Sequence, residues 1–300
     1  MLQMKTACVF AHYDRDGIVD SHVTYSLSEL HRCVQRLVFV STSNLSDETV
    51  GKLVAMGIEV IVRKNRGYDF YSYKVGIEHL TLSDYDQLIL CNDSVYGPLT
   101  DLSAFIGKMN EIDGDFWGIT ESFDFAHHLQ SYFLVFKRTV LNSSAFAEFW
   151  SSLDLIDDKN EIIRRYEVGL SQVLTSCGFK FYSVMPLEDR GTVDRIWHAR
   201  REYGRTLKRR WRDPAFWSDV GSLLTGRLDV GVNHSHLDWE VLLIEHGSPY
   251  IKVELLRDNP KDVRNLEPVL DVVRSKGEYP VELISKHLAR VGGSGPLSPN

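Results

Sequence analysis

Over the first hundred residues the apolar positions form short runs that alternate with stretches of helical period. "ACVFAHY", "RLVFVSTS", "EVIVRKN" and "QLILCND" read as four strands, apolar on both faces and polar at their ends. Between them, "VDSHVTYSLSELHRC", "SDETVGKLVAMG" and "FYSYKVGIEHL" read as helices, the second opened by Ser46 and closed by Gly57. Strand and helix in alternation, with strands buried on both faces, predict an α/β fold: a mostly parallel central sheet with helices on both faces. After Pro98, "DFWGITES" and "QSYFLVFKR" predict further strands and "SSAFAEFWSSL" a helix. A helix follows from Asp157 or Asp158 to Gly178, then another strand; "NHSHLDWEVLLIEHGSPYIKVELLRDNP" predicts a helix and an extended segment.

Open parallel sheets bind ligands at the carboxyl ends of their strands. Four consecutive strands here end on polar tips: His12–Gly17, Ser41–Asn44, Arg63–Asp69 and Asn92–Ser94. That recurrence predicts one shared polar site. Asp93 could ligate a hard cation such as Mg²⁺ or Mn²⁺, with Asn92 or Ser94 beside it, and the ion would neutralise a diphosphate. The same residue types equally suit capping the following turn. Arg63 and Arg66 suit phosphate recognition and Gly67 a close backbone approach, although "RKNRGYD" also suits a solvated turn. On the helix ending at Gly178, Ile163, Tyr166, Leu170, Val173 and Leu174 share one face. Glu167 stands at its margin, where partial desolvation suits a carboxylate to general-base work; a boundary ion pair is the plainer role.

Composition narrows the classes. The 300 residues are 43% hydrophobic and 25% charged, as in an ordinary globular chain, and none of the apolar runs has the ~20 residues of a membrane span. The run Ala7–Ala11 is too short for a signal peptide, so a cytoplasmic location is expected. Four scattered cysteines without a CxxC pair predict reduced thiols rather than a zinc or redox motif. A net charge of −7 argues against bulk nucleic-acid binding. Neither GxGxxG nor a P-loop is present.

Seven strings in order, "AHYDRDG", "RKNRGYDFYSYKVG", "LCNDSVYGPL", "DFWGITES", "HLQSYFLVF", "YEVGLSQVL" and "PYIKVELLRDNP", resemble the rhamnan synthesis F family, glycosyltransferases or glycosyltransferase-like proteins of bacterial rhamnose-containing polymers. The layout is also similar to the GT-A glycosyltransferase plan, with Asn92-Asp93-Ser94 where an Asp-x-Asp motif usually stands; one carboxylate is kept.

The resemblance implies transfer of a sugar from a nucleoside-diphosphate donor, dTDP-rhamnose, to a cell-surface polysaccharide or lipopolysaccharide acceptor, with inversion. Glu167 would be the base, and Asp93 with a divalent cation would stabilise the leaving diphosphate. His236 would be a further metal ligand; of the family's Asn-Pro-Thr-His, Asn233 and His236 match. Donor contacts would come from Tyr13, Asp14, Arg63, Asn65, Arg66, Gly67, Tyr68, Asp69, Asn92 and Ser94. Asp115, Trp117, Glu121 and Gln130 would line the acceptor pocket, Trp117 being equally suited to the core. Residues 1–105 would form the nucleotide-sugar half and 106–188 the acceptor half of one domain. Residues 189–290 would be a C-terminal basic and aromatic segment with a closing helix and strand, and 291–300 a disordered tail. The basic stretch Arg195–Arg212, interleaved with tryptophan and tyrosine, would hold the enzyme on the inner face of the plasma membrane, near lipid-linked glycans. Two other readings stand beside this one: a catalytically inactive sugar-nucleotide or glycan-binding module, and a phosphate-ester hydrolase built on Asp14 and Asp16.

Overall fold

The structure, a computed structural model, describes residues 4–122, 125–186, 234–263, 266–277, 279–293 and 295. Strands β1 (Thr6–His12), β2 (Arg36–Ser41), β3 (Glu59–Val62) and β4 (Gln87–Asn92) run parallel, with β1 between β2 and β4. They are joined by helices α1 (Ser21–Cys33), α2 (Asp47–Ala55) and α3 (Tyr68–Glu78). Two-sided burial explains the unbroken apolar runs. On β1, Cys8 and Phe10 enter the core layer that holds Val23, Leu27 and Leu30 of α1. Ala7, Val9 and Ala11 point into the opposite layer with Phe70, Tyr73 and Ile77 of α3. Helix α2 is capped by Ser46, whose side chain accepts from the Thr49 N–H, and ends before Gly57 at φ +83°. Gly76 lets α3 lie against β1: a Cβ there would stand 2.3 Å from Val9 Cγ1.

The chain then passes through β5 (Val95–Tyr96), α4 (Leu102–Asn110), β6 (Phe116–Ser122), β7 (His128–Leu129) and β8 (Phe133–Lys137). The sheet order is β3-β2-β1-β4-β8-β6-β7, with β9 (Phe181–Met185) also paired to β6. Strand β8 is antiparallel to both β4 and β6, so β6 runs in the direction of β4. This mostly parallel sheet with helices on both faces is the expected fold class.

Helices α5 (Arg138–Leu141) and α6 (Ser144–Ser151) precede a longer helical run. That run comprises α7 (Lys159–Ile162), a π-helical turn (Ile163–Val168) and α8 (Gly169–Ser176). Asp158 caps it by accepting from the Glu161 N–H, and Gly178 follows at φ +89°.

Beyond the gap come α9 (His234–Leu237), α10 (Trp239–Ile244), β10 (Ile251–Lys252), α11 (Val253–Arg257), α12 (Val269–Ser275) and α13 (Glu282–Val291). Here the expected extended segment is mostly helical. Only Ile251 and Lys252 pair, antiparallel to Tyr96 and Val95, before α11 begins. A third apolar cluster, including Tyr96, Trp239, Leu255, Ile284 and Leu288, binds this part to the sheet domain. Arg195–Arg212, Asn233 and most of the 291–300 tail lie outside the described residues. Among the described cysteines, Cys8 and Cys91 are buried free thiols 3.6 Å apart, while Cys177 is exposed.

The C-terminal helix is also fastened by charge. Arg290 of α13 pairs with Asp14 and Asp20, and reaches Asp16 at 3.0 Å. Burial pushes the Asp14 carboxyl up, but the Arg290 bond and the N–H groups of Ile18 and Asp16 outweigh it and hold Asp14 below its ordinary value of 3.8. Its contribution is therefore present at neutral pH and is lost as pH falls through that lowered value. Arg290→Ala is expected to cost about 2–3 kcal/mol, because it strands three carboxylates. Denaturant unfolding at pH 7 checks this, and an unchanged midpoint would contradict the clamp.

Candidate functional site

A cleft of about 940 Å³ opens along the carboxyl edge of the parallel strands. Its floor carries the tips of β1 and β4, one wall the loop from β3 to α3, and the other wall residues of β10, α11 and α13. Of the donor residues expected from sequence, Tyr13, Asp14, Asn65, Arg66, Gly67, Tyr68, Asp69 and Ser94 line it, and so does Asp93.

Asp93 sits just past β4, its side chain 21% exposed, and its Oδ2 accepts from the Tyr13 N–H at 2.7 Å. Burial and the neighbouring charge of Asp69 push its carboxyl up to about 8. His12 Nε2 is 4.0 Å away, but burial lowers that imidazole to about 4, leaving it neutral at pH 7. Asp69, in the first turn of α3, supplies the second carboxylate that "NDS" lacks. Asn92 holds it there: its Nδ2 donates to Asp69 Oδ2 at 2.8 Å, while its Oδ1 accepts from the Ser94 N–H and hydroxyl at 3.1 and 2.6 Å. Asn92 is thus 5% exposed and ties the two carboxylate-bearing segments together, rather than facing the cleft as a donor contact.

Lys252 is the residue that sequence reading missed. Its ammonium lies 3.9 Å over the Tyr132 ring and donates to Ser94 Oγ at 3.3 Å. Burial lowers it to about 8, while Glu167, Glu254 and Asp69 oppose that fall. The only signal was one lysine inside the apolar "PYIKVELL".

Glu167 lies within the π turn, half-buried, and accepts from the Ser131 N–H at 2.8 Å. It acts electrostatically on both Lys252 and Asp69, so it stands at the cleft's inner margin although it does not line the opening. A π turn inserts one residue into the helical period and often marks a functional position.

Arg63 is turned inward. Its guanidinium donates to Ser72 Oγ through two nitrogens and to the carbonyls of Lys64, Arg66 and Tyr68. Those bonds engage its donors in shaping the loop, which corrects the expectation of a phosphate contact. Arg66 does line the cleft and pairs with Asp157 at 2.8 Å. Asp157 Oδ1 also accepts from the Gly67 N–H, and Gly67 adopts φ +76°, which L side chains rarely take. Tyr13 and Tyr68 are half-exposed, with rings available for stacking. Asp14 is bound to Arg290, so Asp14 and Asp16 are not the uncompensated carboxylate pair that ester hydrolysis would need.

The acceptor residues divide. Glu121 and Gln130 lie at the carboxyl end of β6, on the cleft's side of the sheet. Glu121 is buried, accepts from Ser183 Oγ and lies 2.7 Å from His127. Gln130 Oε1 accepts from Thr120 Oγ1, which in turn lies 2.9 Å from the Tyr132 hydroxyl. Asp115 and Trp117 are corrected: because β6 runs with β4, its first residues stand at the opposite edge. There Asp115 accepts from Thr139 and the Lys180 N–H, and Trp117 is fully buried beside Phe105 and Tyr182.

The floor of this cleft gathers carboxylate and hydroxyl oxygens. Burial raises both Asp69 and Asp93, the charge of Asp69 raises Asp93 further and that of Glu167 raises Asp69, and the Ser94 hydroxyl donates to Asn92, which bonds Asp69. Oxygen donors of this kind suit Mg²⁺ or Mn²⁺. His236 is buried, with its Nε2 3.9 Å from the cleft residue Glu254, and neither ring nitrogen has a hydrogen-bond partner among the described residues. No contact joins it to Asp93 among those described.

Among the described residues no helix is long and apolar enough to cross a membrane. A virulence protein, VirA, of Vibrio anguillarum is 29% identical over 247 residues, 76% of this chain and 73% of its own. An uncharacterised protein of Sinorhizobium fredii is 32% identical over 159 residues, 51% of this chain and 42% of its own. Solved structures overlay only loosely. A cytidylyltransferase from Leptospira borgpetersenii gives a TM-score of 0.37 at 14% identity, covering 71% of this chain and 96% of its own. Glucosyl-3-phosphoglycerate synthase from Mycobacterium tuberculosis gives 0.35 at 10%, covering 59% and 81%. The signature of the family described as rhamnan synthesis protein F matches residues 37–201, which takes in β2 to β9 and with them Asp69, Asp93 and Glu167. Matched over more than half its length, the chain belongs to the rhamnan synthesis protein F family.

Proposed function

We propose that the protein is a glycosyltransferase that moves a sugar, rhamnose by family, from a nucleoside-diphosphate donor to a growing cell-surface glycan. The observation that carries this reading is the convergence of Asp69, Asp93, Ser94 and Lys252 at the carboxyl edge of a parallel sheet. Tyr13 and Tyr68 would stack on the base, with Asn65 and the Gly67 backbone beside the ribose and phosphates. Asp69 and Asp93 would hold the divalent cation, with His236 as its candidate nitrogen ligand; the ion supplies Lewis-acid stabilisation of the leaving diphosphate. Lys252 adds a donor aimed from the opposite wall. Glu121 and Gln130 would border the acceptor, and Arg195–Arg212 would carry the enzyme to an anionic leaflet where lipid-linked acceptors lie.

Glu167 would take the proton of the attacking hydroxyl. The Ser131 N–H fixes one of its oxygens and leaves the other for the acceptor. A single base opposite the leaving group gives inversion. Glu167→Gln keeps the shape and the Ser131 contact but cannot accept a proton. It is expected to lose about 10²–10⁴-fold in transfer while binding nucleoside diphosphate as the native chain does. Transfer from dTDP-rhamnose, measured beside dTDP affinity, checks this; retained transfer would remove Glu167 from the role, and no transfer by the native chain with any sugar nucleotide would favour a glycan-binding module.

A further inference from the structure

A second group of side chains with potential ligand atoms lines the same cleft and shares no residue with the Asp69–Asp93 pair. Asp20 precedes α1, His22 lies in its first turn, and His287 comes from α13. Each presents one ligand atom, and the three atoms lie within 4.8 Å of one another. We propose that Asp20, His22 and His287 bind a divalent transition ion of the zinc class, which clamps α13 onto α1.

Two observations point to a ligand rather than to packing alone. His22 is 3% exposed, yet its Nδ1 is buried with no hydrogen-bond partner among the described residues. A buried unsatisfied polar atom is costly and calls for an explanation. His287 has its Nδ1 2.7 Å from the Tyr96 hydroxyl, which orients the ring so that Nε2 faces Asp20 Oδ2 at 3.7 Å. A metal-bound imidazole is commonly held through its second nitrogen in this way.

Arg290 bonds Asp20, but Asp14 and Asp16 share that guanidinium, so three carboxylates outnumber one cation. A carboxylate has about four lone-pair positions and can serve an arginine and a metal together. Two imidazoles and one carboxylate suit zinc, whereas the carboxylates of Asp69 and Asp93 suit magnesium or manganese. All three residues line the cleft, leaving a further position open to water or a bound molecule. The inference does not depend on the donor reading above.

The test is a calorimetric titration of Zn²⁺ alone into the metal-free full chain and its Asp93→Asn, His22→Ala, His287→Ala and Tyr96→Phe variants, with thermal melts of each. The expected result is one equivalent bound by both the native chain and Asp93→Asn, with a raised melting temperature. Binding should weaken at least tenfold in His22→Ala and His287→Ala. Tyr96→Phe removes only the orienting hydroxyl and should weaken binding severalfold even if a histidine variant fails to fold. A native chain that binds no Zn²⁺, binding abolished by Asp93→Asn, or binding unaltered by Tyr96→Phe and whichever histidine variants fold would each overturn the proposal. Nucleoside-diphosphate affinity measured without zinc reports on the donor site separately.

Discussion

Asp93→Asn is expected to make the protein more stable at pH 8 and to abolish cation-dependent nucleotide binding. The folded state raises this carboxyl from 3.8 to about 8, chiefly by burial and then by the charge of Asp69. Between those values the folded chain holds a proton that the unfolded chain has released, so stability falls as pH rises through the window. Asparagine resembles the protonated acid and can still accept from the Tyr13 N–H. The gain should be near zero at pH 4 and reach several kcal/mol at pH 8 and above, at about 1.4 kcal/mol for each pH unit of that window. Manganese should recover that loss for the native chain, since a bound cation relieves the repulsion between Asp69 and Asp93, and should do little for the variant. Thermal melts from pH 4 to 9, with and without Mn²⁺, check this. A variant less stable than the native chain at pH 8, or equally responsive to Mn²⁺, would contradict it.

Lys252→Met is expected to lower nucleoside-diphosphate affinity and transfer together, by about 100-fold in transfer. Methionine can still pack over Tyr132, so the loss reports charge rather than packing. Asp69 and Glu167 would lose the ammonium whose charge both favour. Because Lys252 titrates at about 8, the native chain should bind diphosphate more weakly as pH rises through that value, and the variant should lack that limb. Affinity for dTDP from pH 6 to 9.5 tests it. A variant that binds as tightly as the native chain at pH 7 would remove Lys252 from the site.

The parallel half of the fold was legible because β1, β2 and β4 are buried on both faces, so their composition carries the pattern without tertiary help. The C-terminal part was harder to read. "YIKVELLR" carries both a strand-like alternation and helical pairs, and its two-residue strand exists only because β5, far away in sequence, pairs with it. The π turn around Glu167 is invisible to a 3.6-residue period. The strand tips announced a polar site, yet which tip faces the cleft depended on bonds between distant residues. Arg63 and Arg66 are near neighbours, but one serves its own loop and the other the cleft wall. Asp115 was misplaced because sequence does not give the direction of β6 against β4. Asp14 looked available until Arg290, 276 residues away, was seen on it.

The most direct test of the central claim is a calorimetric titration with dTDP, UDP, GDP and CDP, with and without Mn²⁺, on the native chain and on Asp93→Asn. Selective binding of one nucleotide, at least tenfold tighter with Mn²⁺ and insensitive to the ion in the variant, is the predicted result. Absence of binding by every nucleotide under both conditions would contradict a donor site at Asp69, Asp93 and Lys252.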